Sequence, residues 1–330
     1  MKRIFFPIVV TVCVCLSGCL NPVNVSNKSA GTTYYDESTN TSYLVNPNYT
    51  KVSRIDDSRE LVGDNMTDGS GKVEVAVWVS YSTGAHPSVI CNVPSDYVCV
   101  GGGAYADYGD GWGALLTESR PNSLTGWAGS SKDHIKDNVH VLKVYAVGMK
   151  LSNIDPAVIR KNMIIRSNIS QTAQHPQTSV SLPEGYTLIG GGARVDYGSN
   201  WGNMLVSSYP MSSTTWNASS KDHIECSPAY ITAYVVGIKS TIPNFGELQI
   251  IQKEIGTEGP VEIGKIISNA NCDSNYVVTC VGGKSTYGNG WGRMLFGLEP
   301  LGDYVKISSK DHIKQSSGFL TGYLVEIRKK

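Results

Sequence analysis

The chain of 330 residues has no net charge: 28 basic and 28 acidic residues cancel, and no long basic run breaks the balance. That excludes the electropositive footprint of a nucleic-acid surface. Phenylalanine is scarce at 5. The apolar run Ile4–Leu16 has 13 residues, too short to span a bilayer comfortably as a helix. No later segment carries a sustained helical period, so no long helix is expected. The triple glycines at 101–103 and 190–192 lead into another turn rather than a helix, which excludes a phosphate-cradling loop of the nucleotide-binding kind. What is abundant is glycine, at 35, and tyrosine, at 18. Frequent turns and many aromatic strand formers point to an all-β secreted protein.

The N-terminus is organised as a leader. Lys2 and Arg3 precede the apolar run, and small residues follow it, which is the grammar of a signal peptide over residues 1–18. Leu16-Ser17-Gly18-Cys19 resembles the lipobox of bacterial lipoproteins. That resemblance implies lipid on Cys19 and stable attachment to a membrane through two or three acyl chains. With Leu20 rather than Asp at the next position, it implies the outer membrane, on its periplasmic or surface-exposed face. Residues 19–71 are rich in Asn, Ser and Thr without a period, so a lipidated, flexible stalk is expected there.

The remainder is an internal repeat. The hexapeptide SSKDHI occurs at 130–135, 219–224 and 308–313, so His134, His223 and His312 are 89 residues apart each time. Each copy, over residues 72–150, 157–240 and 247–330, also holds a Y-G-x-x-W-G loop and ends in an alternating β-branched segment such as YITAYVVGI. The fold predicted is all-β, three copies forming a pseudo-threefold, β-prism-like assembly. Three tandem small sandwiches are the alternative. The pattern GGGA…W…SSKDHI…AYVVGIK resembles repeats of secreted bacterial surface proteins. Length and threefold count resemble the β-rich C-terminal modules of perforin-like proteins, which implies attachment to a surface but not lysis. Cys91 and Cys99 are eight apart, as are Cys272 and Cys280, and both positions of the pair are replaced together in the second copy, by Val180 and Leu188. Two hairpin-closing disulfides are expected, each adding roughly 2–3 kcal/mol. Cys226 has no evident partner.

Four roles fit the repeated hexapeptide. Catalysis by Asp-His needs a positioned nucleophile, and adjacent strand residues point to opposite faces. A metal site would have only Asp133 and His134 from the motif, short of a full ligand set, and neither a metal nor another cofactor is expected. A turn built by Ser, Asp and Lys needs no ligand at all. The fourth role is recognition of a glycan or other cell-surface ligand by three similar sites, with aromatic rings beside polar groups and avidity from their number. The residues that would form them are Tyr108, Trp112, Trp127, Lys132, Asp133 and His134 in the first copy and Tyr197, Trp201, Trp216, Lys221, Asp222 and His223 in the second. The third offers Tyr287, Trp291, Lys310, Asp311 and His312, with Val305 in place of the second Trp. A non-enzymatic surface lipoprotein that binds through these loops is the functional expectation. A structural lipoprotein whose loops only hold the fold is its rival, and a hydrolase using the repeated Asp-His is a second.

Overall fold

The computed structural model describes residues 59–330 except 110–112, 199–201, 262–264 and 289–290, together with the strands Thr32–Asp36, Thr41–Val45 and Arg54–Ile55. The leader, Cys19, Trp112 and Trp201 lie outside the described residues. The chain is all-β as expected, with three antiparallel sheets and one short helix, Pro156–Lys161, among the described residues. Asp155 caps that helix, its side chain accepting from the Ala157 amide at 2.7 Å. The folded body begins before residue 72, because Glu60–Leu61 and Met66–Thr67 pair with the strand Val73–Gly84.

Each copy contributes six strands. In the first they are Val73–Gly84, Ser88–Asn92, Val98–Asp107, Leu115–Ser123, Gly126–Lys132 and His140–Leu151. The first, third and sixth strands pair with one another in one sheet, and the second, fifth and fourth in a different one. The other copies repeat this division. The halves then join across copies. The fourth strand of copy 1 meets the third of copy 2, the fourth of copy 2 meets the third of copy 3, and the fourth of copy 3 meets the third of copy 1. Every sheet is therefore shared, and the tandem-sandwich alternative does not hold. A single copy would expose the inner edges of two half-sheets, an arrangement prone to wrong pairing.

Close approach explains the glycines of the third strand. A Cβ on Gly101 would lie 2.0 Å from the Thr279 carbonyl oxygen of copy 3, and one on Gly190 would lie 2.3 Å from the Val100 carbonyl of copy 1. A Cβ on Gly102 or Gly191 would enter the ring of Trp127 or Trp216, at 2.5 and 2.3 Å. Each of those indoles donates from Nε1 to a serine, Ser119 or Ser208, at 3.0 Å. The third copy changes all three positions together. Val281 stands for the glycine, Val305 for the tryptophan and Leu298 for the serine, all buried. The large ring is exchanged for aliphatic volume on the facing side, and the polar partner goes with the indole it served.

The expected disulfides are not formed. The expectation placed each pair across a hairpin, but the second and third strands of a copy belong to different sheets, so no ladder sets the two cysteines opposite one another. The thiols turn to carbonyls instead: Cys99 Sγ to Gly101 at 3.5 Å, Cys272 Sγ to Tyr276 at 3.3 Å and Cys280 Sγ to Gly191 at 3.5 Å. Burial pushes the Cys272 thiol up to about 11 and raises those of Cys99 and Cys280 as well.

Candidate functional site

The fifth strand of each copy ends in Ser-Ser-Lys, and the chain then turns at Asp-His-Ile. Ile135, Ile224 and Ile313 have φ of 62°, 65° and 57°. The residue after each isoleucine donates its amide to the carbonyl of the histidine before it, at 2.7, 2.7 and 2.5 Å. This is a γ-turn of the rare positive-φ kind, centred on a β-branched residue that strongly disfavours it. Strain of ~1–3 kcal/mol per turn follows, and it occurs at all three copies.

The turns meet. His134 Nε2 donates to the His223 carbonyl at 2.5 Å, His223 Nε2 to the His312 carbonyl, and His312 Nε2 to the His134 carbonyl at 2.6 Å. A ring nitrogen that donates to a carbonyl must carry the proton, so a neutral ring in each copy is the Nε2–H tautomer; His223 Nδ1 also lies 3.1 Å from the Trp291 carbonyl, a contact to which that tautomer cannot donate. The imidazole centroids are 5.6–5.7 Å apart. Three donors and three acceptors close on themselves, and each carbonyl also takes its own γ-turn amide. The closure excludes a metal at the ring's Nε2 atoms, and among the described residues no group of three His, Cys, Asp or Glu is placed to hold one. Burial drives the pKa of His223 and His312 down to about 4, against the backbone hydrogen bonds that raise it.

The lysines interlock in the same sense. Lys132 of copy 1 reaches under the Y-G-x-x-W-G loop of copy 2, where a Cβ on Gly202 would lie 2.9 Å from its Nζ and the Tyr197 ring centroid is 5.5 Å away. Lys221 reaches copy 3, donating to the Trp291 carbonyl at 2.7 Å beneath Tyr287. Lys310 returns to copy 1, over Tyr108 at 4.1 Å and against Gly113. Gly113, Gly202 and Gly292 have φ of 111°, 114° and 84°, the left-handed side that admits glycine. Their amides are held by Asn138, Ser227 and Ser316 at 2.9–3.0 Å, residues again 89 apart. Burial lowers the ammonium pKa to about 8 for Lys132 and Lys221 and about 7 for Lys310, against the pull of the adjacent aspartates.

Asp133 and Asp222 serve the turn. One oxygen of each accepts the amide five residues on, Asn138 at 3.1 Å and Ser227 at 3.0 Å. The other faces a histidine outside the motif, His86 at 2.6 Å and His175 at 3.1 Å. His86-Pro87 and His175-Pro176 also stand 89 apart, a recurrence that reading the motif alone passes over. In copy 3 the buried Arg293 acts on Asp311.

The arrangement corrects the aromatic part of the expected site. Trp127 and Trp216 are 1% and 0% exposed, as core residues against the glycine strand, so neither ring face can meet a sugar. Lys132, Lys221, Lys310 and all three histidines are buried too. Trp291 is 44% exposed, its ring edge-on to His223 at 6.3 Å. Tyr108, Tyr197 and Tyr287 are half-buried under the lysines of the preceding copy. Of the repeated Asp-His groups, His134 Nε2 is engaged by the His223 carbonyl and Asp133 faces His86, outside the motif. Ser131 Oγ does lie 2.7 Å from His140 Nε2, but both residues are buried, out of reach of substrate. No family model matches the chain, and no curated protein matches it either.

Proposed function

We propose that the protein is a non-catalytic, lipid-anchored outer-membrane lipoprotein that presents a rigid, pseudo-threefold β body, and that its SSKDHI loops lock this body instead of binding a ligand. The observation that carries the reading is the closed ring of histidine-to-carbonyl hydrogen bonds, one link per copy. An open binding loop would present these groups to solvent, whereas here they are buried and mutually satisfied. The lysines bind each copy to the next in the same cyclic order, so the sheets and the turns close together. Substituting Asp133 or Asp222 by alanine removes a bond to the turn and strands the amide it held, at a cost of about 1–3 kcal/mol each. Both variants should melt earlier than the parent, and no glycan should restore the midpoint. A glycan that binds the parent, fails to bind the variants and leaves their melting unchanged would show that the loops are ligand sites.

A further inference from the structure

Three sheets have six outer edges, formed by the first and second strands of the copies. An outer edge is a row of main-chain N–H and C=O groups open to another chain unless something blunts it. Five of the six are blunted. Glu60–Leu61 and Met66–Thr67 pair with Val73–Gly84, and Thr41–Val45 pairs with Met163–Ile169. Gly246–Val261 is joined at its start by Thr241–Ile242, and two register shifts and Pro260 break its line further on. Arg54–Ile55 pairs in parallel with Ser88–Asn92. Asn168 reaches Gln177–Ser181 and donates from Nδ2 to the Ser179 carbonyl at 3.0 Å. Among the described residues no strand joins the outer side of the sixth, Lys265–Asn271, the second strand of copy 3.

The open edge is regular and ready to pair. The Cys272 amide donates to the Asp303 carbonyl at 2.7 Å, which sets the parity of the ladder. Ile266, Ser268 and Ala270 therefore bond inward to the fifth strand of copy 3, and Lys265, Ile267, Asn269 and Asn271 turn their amides and carbonyls outward. The same four residues carry exposed side chains, while Ile266 and Ser268 are buried. Ile267 is 41% exposed. The strand has no proline, no glycine and no register shift, and its one charge, Lys265, stands at its start. None of the devices that protect the other edges is present on it.

The row suits a second copy of itself. Laid antiparallel on its twin about Asn269, the strand sets Asn269 opposite Asn269 and Ile267 opposite Asn271. These are all outward residues, so each pair exchanges N–H···O bonds. One strand supplies both sides, which closes the contact by a twofold axis. At each end Lys265 falls opposite Asp273, so opposite charges meet twice and like charges nowhere. The Asp273 amide and carbonyl are used by Glu326 and Tyr276, so that end pair meets through side chains only. Lys265 rests over the Tyr108 ring at 4.8 Å and Asp273 holds Lys253, yet the Asp273 side chain stays half-exposed. We propose that Lys265–Asn271 is a dimerisation edge, on which a second copy of this chain adds antiparallel and joins two sheets into one. The inference goes beyond the lock and does not depend on it.

The test uses the full chain in detergent, with Cys226→Ser to remove the exposed native thiol. Sedimentation velocity at micromolar concentration should give twice the protein mass of one chain. Asn269→Pro removes an outward amide that the fold itself does not use, so this variant should keep the parent's melting temperature and sediment as a monomer. Asn269→Cys places two thiols opposite one another with Cα atoms about 5.5 Å apart, within the reach of a disulfide, and oxidation by diamide should join the chains. Ile267→Cys leaves its two thiols four residues out of register, roughly 13 Å apart, and should not cross-link. A monomeric parent overturns the proposal, whether the edge is then covered by the chain's own N-terminal segment or by a different partner. A dimer that survives Asn269→Pro, or equal cross-linking by the two cysteine variants, overturns it as well.

Discussion

The buried lysines make an unusual demand on pH. Lys132, Lys221 and Lys310 are each about 4% exposed. Burial holds their folded pKa near 8, 8 and 7, below the ordinary 10.5. A depressed folded pKa means that the unfolded chain binds more protons between the two values, so stability rises with pH across that window. Between pH 7 and pH 9 the three shifts together amount to about 5 kcal/mol as an upper limit. Even half of this would raise the melting temperature by about 5–10 °C for a body of this size. The raised tyrosines, with Tyr105 and Tyr323 near 12, oppose the trend only above their unfolded pKa of 10. Most proteins are most stable between roughly pH 5 and 8, so a rise through pH 9 is diagnostic. Differential scanning calorimetry at pH 7, 8 and 9 and constant ionic strength measures it. Lys310→Met, which keeps most of the stem, should flatten the slope. A melting temperature that is level or falling from pH 7 to pH 9 would refute the burial of these ammonium groups.

Three further outcomes follow from the same contacts. His223 and His312, neutral in the folded ring with pKa near 4, contribute stability that is present above the unfolded pKa of 6.5 and lost as pH falls toward 4, so acid unfolding should begin below pH 6.5 and steepen toward pH 4. Trp216→Val should cost about 3 kcal/mol by opening a cavity, and adding Gly191→Val and Ser208→Leu, which copies the set found in the third copy, should recover part of it in a denaturant titration. Ile135→Gly should leave stability unchanged or raise it by about 1 kcal/mol, because glycine tolerates the positive φ without a Cβ penalty; a large loss would show that the isoleucine side chain, not the turn geometry, holds the site.

Much of the architecture was legible because the repeat is strict. Eighty-nine-residue spacing, alternation in the closing strands and frequent turn glycines were enough for an all-β body, whereas the close approach at Gly101 and Gly102 is evident only in the structure. The exchange of half-sheets between copies was not legible. Periodicity fixes which face of a strand is buried but carries no information on which copy supplies its neighbour. The same blindness misplaced the cysteines, since a spacing of eight reads as a hairpin only if both strands share a sheet. In the site, the Lys-Asp-His letters gave no sign of the geometry they adopt. Lys132 finds its partner loop in the next copy, and His134 finds its acceptor 89 residues away, distances that no local motif expresses. The burial of Trp127 and Trp216 did leave a trace: where Val305 replaces the ring, the glycine and serine that accommodate it change as well.

The histidine ring is the centre of the account, and its protons can be observed directly. In ¹⁵N-histidine-labelled protein at pH 7, His134, His223 and His312 should all be Nε2–H tautomers with slowly exchanging ring protons, unchanged by added zinc. Fast exchange at these nitrogens, or resonances that shift on adding zinc, would contradict the closed lock.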